Sequence, residues 1–179
     1  DPDSVDVMQE AARLHFMLKR YDKAAASWDR YATLVETDIA SGGLLITCYT
    51  ALGDRANVER VAQRTMARAE KAVATDADNG SAMATIFSCL LCLGETERAK
   101  EWARRAVLID PDNLGMRYNL ACDFVVAVHD HDMALEMLRP VCRNSGHEQI
   151  AWIAADPDMD PLRDDPRFKE LVAEAEARL

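Results

Sequence analysis

What most constrains this chain is that its sequence returns to itself. Asp110-Pro111-Asp112-Asn113 has a near copy 34 residues earlier in Asp76-Ala77-Asp78-Asn79, and Leu93-Gly94-Glu95 is answered by Leu52-Gly53-Asp54. A fixed period of this length marks an array of stacked units rather than one closed core. Each glycine follows one apolar helical stretch and precedes another, where a left-handed residue ends a helix. Between Gly94 and Pro111, the residues Ala99, Trp102, Ala103 and Ala106 recur at three- and four-residue spacing. They form one face of an amphipathic helix whose small side chains let a neighbour approach closely. Tyr21, Ala24, Trp28 and Tyr31 repeat the pattern near the start.

On this period the chain divides into helix pairs at 5–38, 39–79, 80–113 and 114–147, with a closing block at 148–179. The second unit is seven residues longer than the period. Seven residues are nearly two helical turns, so its second helix (about Arg55 to Thr75) can lengthen while its apolar stripe drifts only about 20°. Ala62, Met66, Ala69, Ala72 and Val73 carry that stripe onward. In the closing block, residues 147–155 predict a short helix and Asp156 to Leu162 a proline-punctuated turn. Asp165 then caps a last helix that begins at Pro166. There Phe168, Leu171, Val172 and Ala175 lie on one side, with Lys169, Glu170, Glu174 and Glu176 largely on the other. That is the pattern of a terminal cap, which an open solenoid needs over its final apolar face. At the other end, Asp1-Pro2-Asp3-Ser4 falls in register with the unit boundary at Asp110-Pro111-Asp112-Asn113, and no initiator Met is present. The expectation is a piece of a longer protein, with at least one further helix upstream.

Helix pairs of this period with small and aromatic anchors resemble tetratricopeptide repeats. The likeness covers nearly the whole chain and is closest from Gly94-Glu95-Thr96-Glu97-Arg98-Ala99 to Asp110-Pro111-Asp112-Asn113. It departs in the third unit, where Phe87 stands beside Ser88 at a place usually held by a small residue. The resemblance implies an all-α, right-handed superhelix of antiparallel helix pairs. Met116-Arg117-Tyr118-Asn119-Leu120-Ala121-Cys122, together with the string from Asp156 to Leu171, looks most like the C-terminal repeats of rhizobial class III adenylate/guanylate cyclases. That implies a regulatory segment of an enzyme that converts ATP to cyclic AMP. The cyclase's own metal-binding carboxylates and purine contacts belong to a separate αβ domain, which nothing here matches.

Composition narrows the partners. The 31 acidic against 21 basic side chains leave a net charge of −10, unlike the basic faces that nucleic acid and anionic membranes attract. Much of the acidity falls in Asp-rich turns and helix starts, where it complements helix dipoles, and a dedicated site for a basic partner is the other explanation. At 49% apolar residues a real core can form. No apolar stretch approaches a membrane span, and no basic-then-apolar leader opens the sequence. Five scattered cysteines make a poor disulfide framework and suggest reduced thiols in a cytoplasm.

Candidate chemistry is sparse. Cys89-Leu90-Leu91-Cys92 has metal-pair spacing, but no second pair completes a zinc site and both residues fall in an apolar helix. His129-Asp130-His131-Asp132 joins two helices. It offers either ligands for a divalent ion or a solvated loop in which Asp130 or Asp132 caps the next helix. Gly42-Gly43 sits alone in a helix and suits close packing better than phosphate contact. No nucleophile elbow, phosphate loop or metalloprotease motif appears, so neither catalysis nor a cofactor is expected of these residues.

What remains is a groove. Carrying the repeat family's pattern over, the inward positions are Gln9, Arg13, Phe16 and Met17, then Gly43, Thr47, Thr50 and Ala51. Ala84, Ser88, Leu91 and Cys92 follow, and Tyr118, Cys122, Val125 and Val126 complete the row. Chaperone-binding members of the family clamp a terminal carboxylate with Lys, Arg and Asn here. Apart from Arg13 those groups are missing. A small, mostly uncharged groove suits an apolar helix or extended peptide, unless another helix of the same chain fills it. The expected function is a non-catalytic protein-interaction module, with a protein or peptide partner and possible self-association. Attachment to a DNA-binding regulator or kinase, and metal binding at His129 to Asp132, are the alternatives.

Overall fold

The computed structural model describes residues 4–179. Eight of its helices follow as four pairs: α1 (Val5–Met17) with α2 (Tyr21–Leu34), α3 (Ala40–Ala51) with α4 (Arg55–Thr75), α5 (Gly80–Cys92) with α6 (Thr96–Ile109), and α7 (Leu114–Asp123) with α8 (His131–Asn144). Helix α9 (His147–Ala155), a 3-10 turn (Pro157–Leu162) and α10 (Pro166–Arg178) close the array. The molecule is an all-α array of antiparallel helix pairs, and the described residues contain no strand. No described helix is long and apolar enough to cross a membrane. The register at Asp1-Pro2-Asp3 lies outside the described residues.

The first helices start alike. Asp38 accepts a hydrogen bond from the Ser41 backbone N–H, Asn79 from that of Ala82 and Asn113 from that of Met116, while Ser4 holds the matching place before α1 without a side-chain cap. Each cap satisfies a backbone donor that the first turn leaves open. The turns inside the pairs are alike as well. Lys19, Gly53, Gly94 and His129 are all left-handed, at φ 55, 69, 80 and 58°. Glycine identifies only two of these four turns in the sequence.

From cap to left-handed residue the count is fifteen for Ser4–Lys19, Asp38–Gly53 and Asn79–Gly94, and sixteen for Asn113–His129. The extra residue is taken up by a π-helical turn, Phe124–Val128, that continues α7. A π turn is how a helix absorbs one added residue without losing its ends. The seven added residues of the second unit take the other route. Helix α4 has 21 residues where α2, α6 and α8 have 14 each. Its stripe stays inward, with Ala62, Ala69 and Val73 buried and Met66 and Ala72 half-buried.

Small residues set the spacing. A Cβ on Gly42 would lie 2.3 Å from the hydroxyl oxygen of buried Thr65, so α3 and α4 meet there at backbone distance. Gly43 has open space instead. The alanines Ala24, Ala25 and Ala32 of α2 and Ala99, Ala103 and Ala106 of α6 are all buried. Phe87 is fully buried against Phe124, ring centroids 5.1 Å apart. The apolar interior forms two clusters. One holds Ala12, Ala24, Ala25, Trp28, Leu45, Cys48 and Val61. The larger runs from Ala69 to Ala175. At the C-terminus, Asp165 accepts from the Arg167 backbone N–H at 2.8 Å. Phe168, Leu171 and Ala175 are buried while Lys169, Glu170, Glu174 and Glu176 are exposed.

Candidate functional site

The row implied by the repeat resemblance occupies equivalent places in the structure: five, nine, twelve and thirteen residues after each cap. Its surroundings change along the array. In α1, Gln9 is half-buried, Arg13 is exposed and Met17 protrudes at 79% exposure. Phe16 turns into the core edge-on to Tyr21 and Trp28, at centroid distances of 5.8 and 5.6 Å. In α3, Gly43, Thr47, Thr50 and Ala51 are exposed, and the Thr47 hydroxyl donates to the Gly43 carbonyl at 3.1 Å. In α5, Ala84 is buried while Ser88, Leu91 and Cys92 are half-buried. A trough of about 370 Å³ lies between α5 and α7, lined by Ser81, Ala84, Thr85, Ser88, Asn113, Gly115, Met116, Asn119 and Leu120. A smaller hollow of about 200 Å³ takes in Thr50 and Cys92 beside Tyr49, Gly53, Asp54, Arg55 and Val58.

The last quarter of the row is covered by the chain itself. The 3-10 turn packs on the π-helical turn. The Tyr118 hydroxyl donates to Asp156, and Cys122 lies beside Asp156 and Asp158. Val125 is fully buried, so it contributes to the core and offers no surface, whereas Val126 is half-exposed. The closing block is therefore both end cap and filler of the adjoining inner face.

Asp123 is the residue the sequence reading missed. It accepts a hydrogen bond from the Ser88 hydroxyl across from α5, and burial pushes its carboxyl up to about 6, with the Asp158 charge adding to the rise and the Ser88 bond opposing it. Its register is the signal that was available. Ten residues after the cap, α3 and α5 carry buried Cys48 and Cys89, and α7 carries an acid.

A second unannounced feature clamps the first two pairs. Asp29 of α2 accepts from the Tyr49 hydroxyl, from Arg60 at 2.7 Å and from Arg64 at 2.9 Å. Arg68, four residues on, donates to the Ala32 and Asp38 carbonyls. Burial opposes the charge on Asp29, yet the bonds from Arg60, Tyr49 and Arg64 together hold its carboxyl below the ordinary value. Arginines 60, 64 and 68 share one face of α4 because of their four-residue spacing. These cations bind within the fold instead of lining the groove.

The sequence's candidate ligands are engaged in structure. Burial pushes the thiols up, to about 12 for Cys89 and Cys122 and about 11 for Cys48 and Cys142, and Cys92 rises for the same reason. Thiols so disposed are poor nucleophiles and poor ligands at neutral pH. All five cysteines are free. In the His129–Asp132 turn, the His129 ring Nδ1 lies 3.1 Å from the Val125 carbonyl, Asp130 caps α8 through the Met133 N–H, and Asp132 pairs with Arg167 at 2.6 Å. The metal alternative at that turn gives way to a helix junction. Donor atoms do gather elsewhere, where Cys122, Asp156 and Asp158 come within 4.8 Å of one another. There Asp156 already caps the 3-10 turn by accepting from the Asp158 N–H at 2.9 Å and holds Tyr118.

No family model matches the chain. No curated protein matches it either. Among solved structures it is similar to a crystal structure of MamA, with a TM-score of 0.48 and 14% identity over 80% of this chain and 79% of that one. A second crystal structure of MamA protein gives a TM-score of 0.46 and 14% identity over 88% and 79%. The fold described above rests on the chain's own helix pairs.

Proposed function

We propose that this chain is a protein-interaction module that takes a peptide or helix of a partner along the inner row of α1, α3 and α5 and does no chemistry itself. The observation that carries this reading is the open, uncharged stretch at Gly43, Thr47 and Thr50, which leads towards the trough beside Ser88. A shallow surface with small side chains and few charges favours a partner that brings its own apolar residues. The net charge of −10 disfavours nucleic acid as that partner. By the resemblance of Met116–Cys122 and of the string from Asp156 to Leu171, the module is the C-terminal regulatory part of a bacterial, cytoplasmic class III adenylate cyclase. Partner binding there biases how the cyclase domains pair. A DNA-binding regulator or a kinase as the attached effector is the competing arrangement.

Two experiments test the two layers. In a peptide-display selection on the purified chain, Thr47→Arg and Thr50→Arg should lose the peptides that the parent chain enriches while keeping its melting curve. Equal enrichment by all three proteins removes the groove. Deleting the segment from its parent reading frame should alter regulation or assembly while the cyclase carboxylates stay intact. Unchanged activity, oligomeric state and partner set remove the cyclase attachment.

A further inference from the structure

Helix α9 keeps the register of the first helices before it. Seven places after their caps, Leu45, Ile86 and Leu120 are buried, and Ile153, seven places after Gly146, is buried as they are. Two and six places after the cap, Ser81 and Thr85 of α5 and Gly115 and Asn119 of α7 line the inner trough with small, neutral side chains. In α9 those two places hold Glu148 and Trp152. Both are exposed, Trp152 to 58%. The same two places of α7 face the trough shared with α5, so those of α9 look back along the inner face towards α7. Their exposure is that of the inner face and not of an end of the array.

Trp152 also differs from the other two tryptophans. Trp28 is buried edge-on to Phe16, and Trp102 carries the Arg105 guanidinium over its ring, 5.2 Å from the centroid. Neither a ring nor a cation lies against Trp152 among the described residues. A bare indole of this kind is the anchor on which binding energy concentrates.

The surrounding charges select the occupant. Glu148 lies one turn from Trp152 on the same side of α9. The Trp152 carbonyl accepts from the Asp156 N–H at 2.8 Å, which leads into the group of Asp156, Asp158 and Cys122 against α7. The carboxyls of Asp123 and Asp158 are both pushed up, first by burial and then by the charge of a neighbouring carboxylate. None of Glu148, Asp123, Asp156 and Asp158 makes an ion pair among the described residues. The cations of the closing block are engaged elsewhere. Arg163 holds Asp160 and the Ala154 and Asp156 carbonyls, and Arg167 holds Asp132 and Asp165. Lys169 pairs with Asp164, and Arg178 donates to the Cys142 and Ser145 carbonyls. An uncovered indole among unpaired carboxylates suits a cation that stacks and forms ion pairs at once, and a guanidinium does both.

We propose that Trp152, with the carboxylates of Glu148 and Asp158, is a docking site for an arginine-bearing basic segment of a partner protein. It lies beyond the row of α1, α3 and α5, so either surface can fail without the other.

The test is fluorescence anisotropy of a labelled peptide of alternating Arg and Ala, titrated with residues 1–179 at low and at physiological salt. The parent should bind it, more weakly as salt rises, and should ignore Glu–Ala and Leu–Ala peptides of the same length. Trp152→Ala and Glu148→Lys should each weaken binding about fivefold or more. The control Glu101→Lys makes the same change in net charge at an exposed site on α6 and should weaken it about twofold at most. Thr47→Arg and Thr50→Arg should match that control, which separates failure of this site from failure of the row. A parent that ignores the Arg–Ala peptide, equal weakening by Glu148→Lys and Glu101→Lys, or Trp152→Ala binding like the parent overturns the proposal. A Leu–Ala peptide that binds as tightly gives the surface to an apolar partner and overturns it too. Circular dichroism on each variant confirms the fold, which exposed positions should not disturb.

Discussion

Lys19 holds φ at 55° in a turn where the second and third pairs use glycine, and it is exposed with no ion pair among the described residues to favour that conformation. A β-carbon in the left-handed region is strained, so Lys19→Gly should raise stability by about 0.5–1 kcal/mol in chemical denaturation. His129→Gly should gain less, since the ring's contact with the Val125 carbonyl is lost together with the strain. Asp123 sets a pH dependence of opposite sign to that of most carboxylates. Its folded pKa lies above the unfolded one, so its favourable contribution is present in acid and lost as pH rises from about 4 to about 6. Asp123→Asn should flatten that part of the stability–pH curve and raise stability at pH 7 by about 2–3 kcal/mol. A parent and variant whose curves stay parallel from pH 4 to 7 would show that the carboxyl is already solvated.

Helix α4 does two jobs that its neighbours divide. Its apolar stripe packs on α3 and α5, and its arginine row grips α2 through Asp29. Asp29→Ala would leave the Tyr49 hydroxyl and two guanidinium groups without their acceptor and should cost about 2–3 kcal/mol, whereas Tyr49→Phe, removing one of several donors, should cost about 1 kcal/mol. Urea melts of both variants measure the difference. Because Asp29 titrates below the ordinary carboxylate range, the clamp holds above that range and fails as pH falls through the depressed value. The length of α4 was legible in the sequence because seven residues are two turns and the buried stripe continues in phase. Its arginine row was not. A charge at four-residue spacing on a helix reads the same whether it faces water or a neighbour's carboxylate, and only the docking of α2 decides. The π-helical turn was likewise hidden, since one surplus residue in an apolar helix leaves no local mark until both ends of that helix are pinned.

Across the whole molecule, the array and its cap follow from the period, the caps and the alanine faces, all of which are local in sequence. The contacts between distant segments do not, and they decide what the inner row is free to do. Nothing in Tyr118 or Cys122 announces that residues 156–158 will lie against them, so the sequence left open whether the chain fills its own groove, and the structure covers the last share. The two apolar clusters are a contact of the same kind, and they meet inside one helix, with Val61 in the first and Ala69 in the second. In a linear array stability is shared only between neighbours, so the smaller cluster should open first. Native-state hydrogen exchange should show amides of α1 to α3 exchanging at lower opening energy than those of α5 to α8. Uniform protection along the chain would contradict this. The dividing helix then acts as a fuse. Its C-terminal half stays anchored while its N-terminal half lets go, so the front of the molecule can unravel and re-seat with the back as its template. A partner gripping α1 and α3 would be released at the rate of that partial fraying, and not at the far slower rate at which the whole protein comes apart.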